Sequence, residues 1–305
     1  MPKYKSIIAN IYNQVKDMDL GGKVATYIPE LAKVNPNYFG VHLSSVDGNE
    51  CGIGDYQIPF SIQSISKIFI LSYAYVLFGE KLWQRVGVEP SGTPFNSLIQ
   101  LESDKGIPRN PFINAGALVV CDMLVSELKN PLPDLFNYMK KITQIDDIYY
   151  NKTVAESEKK AGYRNVALCN FIKSFGNIDN EPEEVLDFYF KICSIELSCQ
   201  QMSKAFLYLT SDKFRVNNPE IQLNESQAKR IKALMQTCGF YDESGEFAFK
   251  VGLPGKSGVG GGIIAICPDR YSIATWSPLL NQKGNSQKGF LFLEQFTTQT
   301  AVSIF

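Results

Sequence analysis

Residues 60–71 of the 305-residue chain read FSIQSISKIFIL, and the apolar run that begins there continues to Leu77. Ser64 and Lys67 are three residues apart, so they would lie on the same face of a helix. A serine hydroxyl is a poor nucleophile until a neighbouring base takes its proton. A lysine among apolar groups can be that base, because burial disfavours its charged form. The stretch therefore predicts a buried central helix that begins with a serine nucleophile and a lysine base.

The same Ser-x-x-Lys spacing occurs three more times, beginning at Ser126, Ser157 and Ser226. These three pairs lie among charged residues, where a lysine stays hydrated and protonated. The last of them falls in an amphipathic helix with its lysines on the wet face. A second interpretation of the first pair remains open: Ser64 could cap the helix while the stem of Lys67 is buried and its ammonium reaches water.

The composition excludes several classes of protein. Hydrophobic residues make up 45% of the chain, and 30 basic against 31 acidic residues leave a net charge of −1. No broad electrostatic field would therefore recruit nucleic acid or a membrane surface. The seven cysteines are scattered without a C-x-x-C pair, which indicates reduced thiols and no zinc site. The N-terminal MPKYKSII has no apolar signal segment, and no apolar run reaches membrane-spanning length, so we expect a cytoplasmic protein.

The periodicity of apolar residues predicts strands at both ends of the chain and helices in the middle. A helix is predicted at 4–17 and a strand at 39–46, followed by an Asp47-Gly48 turn. The single histidine, His42, falls inside that strand, where a structural role is expected. Further strands are predicted at 245–249, 259–267 and 271–277, and a last helix at 287–303. The helices predicted in the middle are 114–129, 132–143, 165–175, 183–194 and 198–210.

This order predicts an α+β fold with a mostly antiparallel sheet flanked by helices, and a separate helical lobe. The strands at the two ends must pair with one another to form one sheet. Residues 1–75 and 236–305 would form the sheet-containing part, and residues 76–235 the mainly helical lobe. The two parts would make one catalytic unit with its site in the cleft between them.

A glycine-rich motif, KSGVGGG, occupies residues 256–262. A dinucleotide-binding interpretation is weak, since such glycines should follow a strand and open a helix, whereas these precede a strand. Lys-Ser-Gly at a late strand, after Ser-x-x-Lys on an early helix, is the arrangement of penicillin-recognising serine enzymes. The middle S-D-N element of those enzymes is missing, but residues 163–165 (Tyr-Arg-Asn) could replace it. Backbone N–H groups of Val259 and Ser64 could form an oxyanion hole.

Six motifs, in order along nearly the whole chain, resemble those of the serine-dependent glutaminases. They are YIPELA (27–32), FSIQSISK (60–67), PRNPFINAGA (108–117), Ser157-Glu158 with Arg164-Asn165, CGFYD (238–242) and GKSGVGGG (255–262). The resemblance implies a β-lactamase-like (transpeptidase-like) fold and hydrolysis of L-glutamine to L-glutamate and ammonia. It implies no metal and no cofactor, and a homo-oligomer, either dimer or tetramer, is expected.

The resemblance also implies roles for individual residues. Ser64 is the expected nucleophile, Lys67 its base, and Tyr241 a second proton-transfer group. The N–H of Val259 would hold the oxyanion together with that of Ser64. Glu158 would bind the α-ammonium of glutamine. The remaining pocket residues, which would serve the α-carboxylate, are Tyr27, Asn114, Asn165 and Tyr189.

Two rival functions remain open from the sequence. A penicillin-binding or β-lactamase enzyme would share the acyl-serine chemistry, but its substrates lie outside the cytosol, and no secretion signal is visible. An acidic residue such as Glu158 also suits an amino-acid ammonium better than a lactam. A binding protein that has lost its chemistry is the other rival, and the presence of Ser64, Lys67 and Tyr241 together argues against it. A shared fold cannot decide between these functions.

Overall fold

The computed structural model describes residues 2–91, 98–214 and 221–305, and its strands form two sheets. The strands are β1 (Gly40–Ser45), β2 (Glu50–Gly54), β3 (Phe60–Ser61), β4 (Tyr149–Tyr150), β5 (Ile195–Leu197), β6 (Gly255–Ser257), β7 (Gly262–Cys267) and β8 (Tyr271–Trp276). Five of them make the main sheet in the order β2-β1-β8-β7-β6, and every neighbouring pair is antiparallel. The predicted antiparallel sheet, built from both ends of the chain, is confirmed.

Thirteen α-helices lie within the described ranges. They are α1 (Pro2–Val15), α2 (Lys67–Phe78), α3 (Leu98–Ser103), α4 (Asn114–Glu127), α5 (Pro131–Thr143), α6 (Lys152–Ala161), α7 (Tyr163–Ser174), α8 (Pro182–Cys193), α9 (Cys199–Ala205), α10 (Leu207–Thr210), α11 (Glu225–Cys238), α12 (Ser244–Lys250) and α13 (Gln287–Thr300). The helices predicted in the middle of the chain correspond to α4, α5, α7, α8 and the α9–α10 pair. Parts of the predicted helical middle, residues 92–97 and 215–220, lie outside the described residues. None of the described helices is long and apolar enough to span a bilayer.

The two faces of the main sheet pack against different apolar cores. Successive residues of a strand point to opposite faces. On β7, Ile263 and Ala265 therefore join the core that α1 and α13 complete, whereas Ile264 and Ile266 join the larger core of the helical region. Ile62 and Ile65 of the predicted Ser-x-x-Lys motif belong to the larger core, whereas Val259 belongs to a third, small cluster with Ile28 and Leu31, against which Tyr241 packs.

Helix α2 is the central helix that the quoted stretch predicts. Residues 67–72 are all buried, and the helix packs against α4 within the larger core. Apolar side chains on every side allow it to be surrounded completely. Lys67, its first residue, is 0% exposed, so the interpretation in which its ammonium reaches water is wrong.

Two predicted strands are wrong in kind or extent, and one small sheet was not predicted. The predicted strand at 245–249 is helix α12, because Phe247 is anchored on Phe240 with ring centroids 3.6 Å apart. An i,i+4 ion pair between Glu246 and Lys250, 2.8 Å long, also favours the helix. The strand predicted to begin at Val259 begins at Gly262. A small sheet, in the order β3-β5-β4, has no counterpart in the prediction.

Candidate active site

The candidate nucleophile lies in a short 3-10 turn, Gln63–Ser66, between β3 and α2. Sequence spacing had predicted that Ser64 would lie on the helix itself. Gln63 adopts a left-handed backbone conformation with φ of 49°, which is costly for a residue with a side chain. Its amide donates to Ser61 Oγ at 2.9 Å and to Glu158 Oε1 at 2.7 Å, and these bonds hold the turn in place.

A cavity of about 560 Å³ opens above Ser64, a size suited to a small ligand. Eight of the nine residues predicted for the site line this cavity. They are Tyr27, Ser64, Asn114, Glu158, Asn165, Tyr189, Tyr241 and Val259. The ninth, Lys67, is fully buried beside it. The structure thus brings together residues that are separated by up to 232 positions in the sequence.

Lys67 is held by two acceptors from the start of α4. Its Nζ donates to the Phe112 carbonyl at 3.1 Å and to Asn114 Oδ1 at 2.7 Å. Burial lowers the pKa of Lys67 from 10.5 to about 8, although the nearby Glu158 carboxylate acts in the opposite direction. A lysine with this pKa can release its proton near neutral pH, as a general base must.

Tyr241 and Val259 come from two turns that meet over Ser64. Tyr241 has φ of 55°, and its hydroxyl interacts with the side chains of Ser64 and Ser257 and with the Val259 backbone. Burial raises the pKa of its phenol, so the hydroxyl keeps its proton at neutral pH. Val259 lies in the turn between β6 and β7, where Gly258 N–H donates to the Gly262 carbonyl at 3.0 Å.

Glu158 lies on α6, a helix whose N-terminus is capped by the Asn151 side chain. Its carboxylate is buried, and burial raises its pKa from 4.5 to about 7. The hydrogen bond from Gln63 and the charge of Lys67 both lower that pKa, but they offset only part of the effect of burial. A ligand cation placed in the cavity would favour the ionised form further.

The remaining predicted residues surround the rest of the cavity. Asn114 bridges Lys67 and Asn165, since its Oδ1 accepts from Lys67 and its Nδ2 donates to Asn165 Oδ1 at 3.0 Å. The ring of Tyr189 is buried, with its centroid 6.0 Å from Lys67 Nζ. Tyr27 is 58% exposed at the mouth of the cavity. His42 is buried on β1, with Nδ1 2.7 Å from Ser203 Oγ, and is absent from the lining.

Sequence reasoning assigned no role of their own to three residues at or beside the site. Gln63 orients Glu158, and its signal was a polar side chain directly before Ser64 in the quoted stretch. Cys193 lines the cavity, but nothing in the sequence distinguishes it from the other buried thiols. Lys256 is 0% exposed and lies beneath Tyr241, with its Nζ 4.9 Å from the ring centroid. In the part of the chain described, no group of three His, Cys, Asp or Glu side chains could hold a metal ion.

Known proteins match this chain over nearly its whole length. A family model described as Glutaminase matches residues 22–305. A glutaminase from Christiangramia forsetii is 56% identical over 302 residues, covering 99% of each chain. A solved probable glutaminase, ybaS, superposes with a TM-score of 0.92 at 30% identity and covers 100% of this chain and 98% of its own. Bacillus subtilis glutaminase YbgJ, solved as a covalent complex with 5-oxo-L-norleucine, has a TM-score of 0.85 at 30% identity, covering 99% of each chain.

Fold and site together define a protein of the β-lactamase-like class, with an antiparallel sheet, flanking helices and a cavity above Ser64. Within that class, the extent and level of identity leave no ambiguity. The chain belongs to the glutaminase family.

Proposed function

We propose that Ser64 is the nucleophile of this glutaminase, which hydrolyses L-glutamine to L-glutamate and ammonia. The observation that carries the proposal is the meeting of Ser64, Tyr241 and Val259 at the floor of a cavity that also contains Glu158. The Ser64 oxygen attacks the side-chain amide carbon, and the C–N bond then breaks to leave a glutamyl ester. Water hydrolyses that ester, which releases glutamate and returns the proton to Ser64.

Lys67 is the proposed base for the first step. Lys67 follows Ser64 by three residues. Its pKa of about 8 leaves part of the Lys67 side chains neutral at physiological pH. The two acceptors on Nζ, Phe112 O and Asn114 Oδ1, occupy two of its N–H groups. A neutral amine has two N–H groups and one lone pair. The lone pair is therefore available for the Ser64 proton.

Tyr241 is proposed to pass a proton to the leaving amine. Its hydroxyl contacts Ser64, and burial keeps it protonated. The amide anion, NH2−, is a poor leaving group. A proton must therefore reach the nitrogen as the C–N bond breaks. In the second step Tyr241 and Lys67 together can take a proton from the attacking water.

The oxyanion of each tetrahedral intermediate is proposed to bind the N–H groups of Val259 and Ser64. Backbone donors fixed in a dry site can stabilise developing charge without reorganising. The proximity of Tyr241 to the Val259 backbone supports this placement.

Specificity for glutamine is proposed to come from the groups that recognise its α-carbon. Among the described residues that line the cavity, Glu158 supplies the one carboxylate, and its ionised form would pair with the α-ammonium. Asn114, Asn165, Tyr27 and Tyr189 supply polar groups for the α-carboxylate. A β-lactam has no ammonium in that position, so Glu158 favours glutamine over the rival class of substrate.

Replacing Ser64 by alanine tests the nucleophile directly. Ammonia release from glutamine, asparagine and a chromogenic β-lactam would be measured in parallel. We expect the wild type to act on glutamine far better than on the lactam, and Ser64→Ala to lose turnover while its unfolding temperature is unchanged. Ser226→Ala is the matched control, since it lies in another Ser-x-x-Lys sequence and should keep its activity. An active Ser64→Ala protein would exclude the acyl-enzyme mechanism.

The division of the chain into residues 1–75 with 236–305 and residues 76–235 is proposed as one catalytic unit. The smaller core contains only residues of 1–75 and 236–305, which supports the division. The larger core contains residues of both parts, and α2 crosses the boundary at residue 75, so the parts are tied together. We therefore expect one cooperative unfolding transition, followed by circular dichroism. Two well-separated transitions would contradict this proposal.

We propose further that the protein is cytoplasmic and forms a homo-oligomer, a dimer or tetramer. All seven cysteines are free thiols, as a reducing compartment favours. Helix α7 buries Leu168 and Ile172, yet leaves Tyr163 and Val166 exposed, and an oligomer contact would cover them. Light scattering coupled to gel filtration should give a multiple of 34.1 kDa. A monomer at assay concentration would contradict the oligomer.

A further inference from the structure

Lys256 is a second fully buried lysine beside the site, and none of the catalytic roles above uses it. It lies on the edge strand β6 opposite Ile264 of β7, so its side chain points into the larger core. Burial lowers the pKa of Lys256 well below 10.5, and the positive charge of Lys67 acts in the same direction. In the part of the chain that the structure describes, the groups that raise this pKa are the thiols of Cys238 and Cys193, and no carboxylate contributes. A buried lysine without a counter-charge is costly, so its contacts need a physical explanation.

Those contacts join the two turns that carry Tyr241 and Val259. Lys256 Nζ donates to the Gly239 carbonyl at 3.0 Å, two residues before Tyr241. It also donates to the Ser257 carbonyl at 2.7 Å, two residues before Val259. A neutral amine has two N–H groups, enough for both carbonyls. Lys256 can therefore hold the two turns together without a buried charge.

The Gly239 carbonyl is the main point of attachment between the turns. Besides Lys256 Nζ, it accepts from Ser257 N–H at 3.2 Å and from Ser257 Oγ at 3.4 Å. Glycine is required there, because a Cβ would lie 1.9 Å from the Gly255 carbonyl oxygen. The turn thus packs directly on β6, and the left-handed Tyr241 follows two residues later.

The Nζ of Lys256 lies near two aromatic rings that belong to the site. It lies 4.9 Å from the centroid of Tyr241 and 5.9 Å from that of Phe112. Phe112 is also the residue whose carbonyl accepts from Lys67 at 3.1 Å. The lysine therefore lies between the proton-transfer tyrosine and the segment that holds the base.

We propose that Lys256 is a positioning residue, which fixes the Tyr241 hydroxyl and the Val259 N–H relative to Ser64. This inference rests on the roles proposed above for Tyr241 and Val259. Both roles depend on short distances: a proton must pass along a hydrogen bond, and an oxyanion must be reached by its donor. Loss of the amine would free both turns, while the groups around the α-carbon of glutamine would be left in place.

Steady-state kinetics of Lys256→Met with L-glutamine tests the proposal. Methionine keeps much of the apolar stem and removes the amine. We expect kcat to fall about tenfold to a hundredfold, as small misplacements of reacting groups do, with KM changed less than about threefold. The maximal rate of inactivation by 6-diazo-5-oxo-L-norleucine should fall in parallel. Lys256→Gln serves as a second variant if the methionine protein folds poorly, and the same pattern is expected for it.

A structural control separates positioning from a general loss of stability. Asp122 is 0% exposed and accepts hydrogen bonds from the Arg85 guanidinium and from the backbone N–H groups of Asp179 and Asn180. None of the hydrogen bonds described for these residues reaches Lys256 or Ser64. Asp122→Asn should lower the unfolding temperature while kcat and KM of the folded protein stay within about twofold. Lys256→Met should differ from it by losing kcat. The proposal is wrong if Lys256→Met lowers only the unfolding temperature, or if it raises KM and leaves kcat unchanged.

Tyr241→Phe, measured alone and with Lys256→Met, separates this inference from the proposed mechanism. Full activity of Tyr241→Phe would contradict the role of Tyr241 itself. An impaired Tyr241→Phe beside a fully active Lys256→Met would contradict only the role of Lys256. If Lys256 acts through Tyr241, its substitution should cost less in the Tyr241→Phe background than in the wild type. Equal losses in both backgrounds would overturn the action of Lys256 on Tyr241, whereas no loss in either background would overturn the whole proposal.

Discussion

Two buried ionisable side chains, Lys67 and Glu158, determine the pH range in which the site can work. Burial moves their pKa values toward each other, to about 8 for the lysine and about 7 for the carboxyl group. The proposed mechanism needs both groups deprotonated: Lys67 to accept a proton, and Glu158 to bind an ammonium. Acid therefore inactivates the site in two ways, by protonating Glu158 in the cavity and Lys67 beside it.

The pH dependence of kcat/KM should show both deprotonations. Below about pH 6 the logarithm of kcat/KM should rise with a slope near two, and it should level off above the pKa of Lys67. Glu158→Gln should reduce the slope toward one, since only Lys67 then titrates. Lys67→Arg should be as inactive as Lys67→Ala, because a guanidinium cannot deprotonate in a protein. Substantial activity in Lys67→Arg would exclude lysine as the base.

Glu158→Gln should also cost recognition of the substrate. The variant leaves the α-ammonium buried without a charged partner, which costs on the order of 2–5 kcal/mol. We expect kcat/KM for glutamine to fall at least tenfold to a hundredfold. A glutamine analogue without the α-amino group should be a poor substrate of the wild type, yet lose much less on mutation. Equal losses for both substrates would show that Glu158 maintains the structure of the site and does not bind the substrate ammonium.

For individual residues, the sequence predicted which side chains form the site better than it predicted their contacts. Ser64 and Lys67 were found from their spacing and from the apolar residues around them. The two acceptors of Lys67, Phe112 and Asn114, are 45 and 47 positions away, and only the packing of α4 on α2 brings them within reach. The same reason explains why the bond between Gln63 and Glu158 could not be predicted.

Among the elements, the turn between β6 and β7 packs directly on the segment that precedes the nucleophile. A Cβ on Gly258 would lie 2.3 Å from the Ile62 carbonyl oxygen, and one on Gly260 would lie 2.1 Å from that of Ser61. The Gly260 carbonyl accepts from Trp276 Nε1 at 3.0 Å, which fixes the turn from the other side. Val259, between the two glycines, thereby has little freedom to move.

Gly260→Ala should therefore impair catalysis. The added methyl collides with backbone, which cannot rotate away as a side chain could, so the Val259 N–H must shift. We expect kcat to fall at least about tenfold, as loss of one oxyanion donor does. Gly245→Ala is the control: nothing lies within 4 Å of its Cβ, and Gly245 is in α12, where alanine favours the helix by roughly 0.5–1 kcal/mol. An unimpaired Gly260→Ala would show that the turn tolerates displacement.

Secondary structure was predictable where one strong periodicity ran through a long element. The long helices α4 and α8 and strands β1 and β8 were found nearly to their ends. Helix α12 was mistaken for a strand, since seven residues carry too little periodicity and Phe247 is anchored by a contact with Phe240. The small sheet of β3, β4 and β5 has strands of two or three residues, too short for alternation to be seen.

For the molecule as a whole, the buried bases reduce stability. Lys67 binds a proton at a lower pKa in the folded state, about 8, than its ordinary value of 10.5. Below pH 8 both states are protonated, and the folded state has a buried charge. Between those two values the unfolded state binds more protons, so the free energy of unfolding rises with pH. Above 10.5 both states are neutral and the change is complete.

Lys67→Met should remove this part of the pH dependence. The difference in free energy of unfolding, wild type minus variant, should grow by on the order of 3 kcal/mol between pH 7 and pH 10.5. Denaturant unfolding at several pH values measures it. Lys204→Met, at a lysine 40% exposed, is the control and should show a much smaller change. A constant difference for Lys67→Met would mean that the lysine titrates normally in the folded protein.

The strand order has a consequence for the chain as it leaves the ribosome. Strand β8 lies between β1 and β7, so the hairpin of β1 and β2 exposes one row of unpaired N–H and C=O groups until residues 271–276 have been synthesised. An open edge of this kind can pair with other chains and aggregate. Between the two strands lie 225 residues (46–270), so β1 stays unpaired on this side until most of the chain has been translated. A chaperone that shields β1 during that interval should raise the yield more than one that acts on the finished chain.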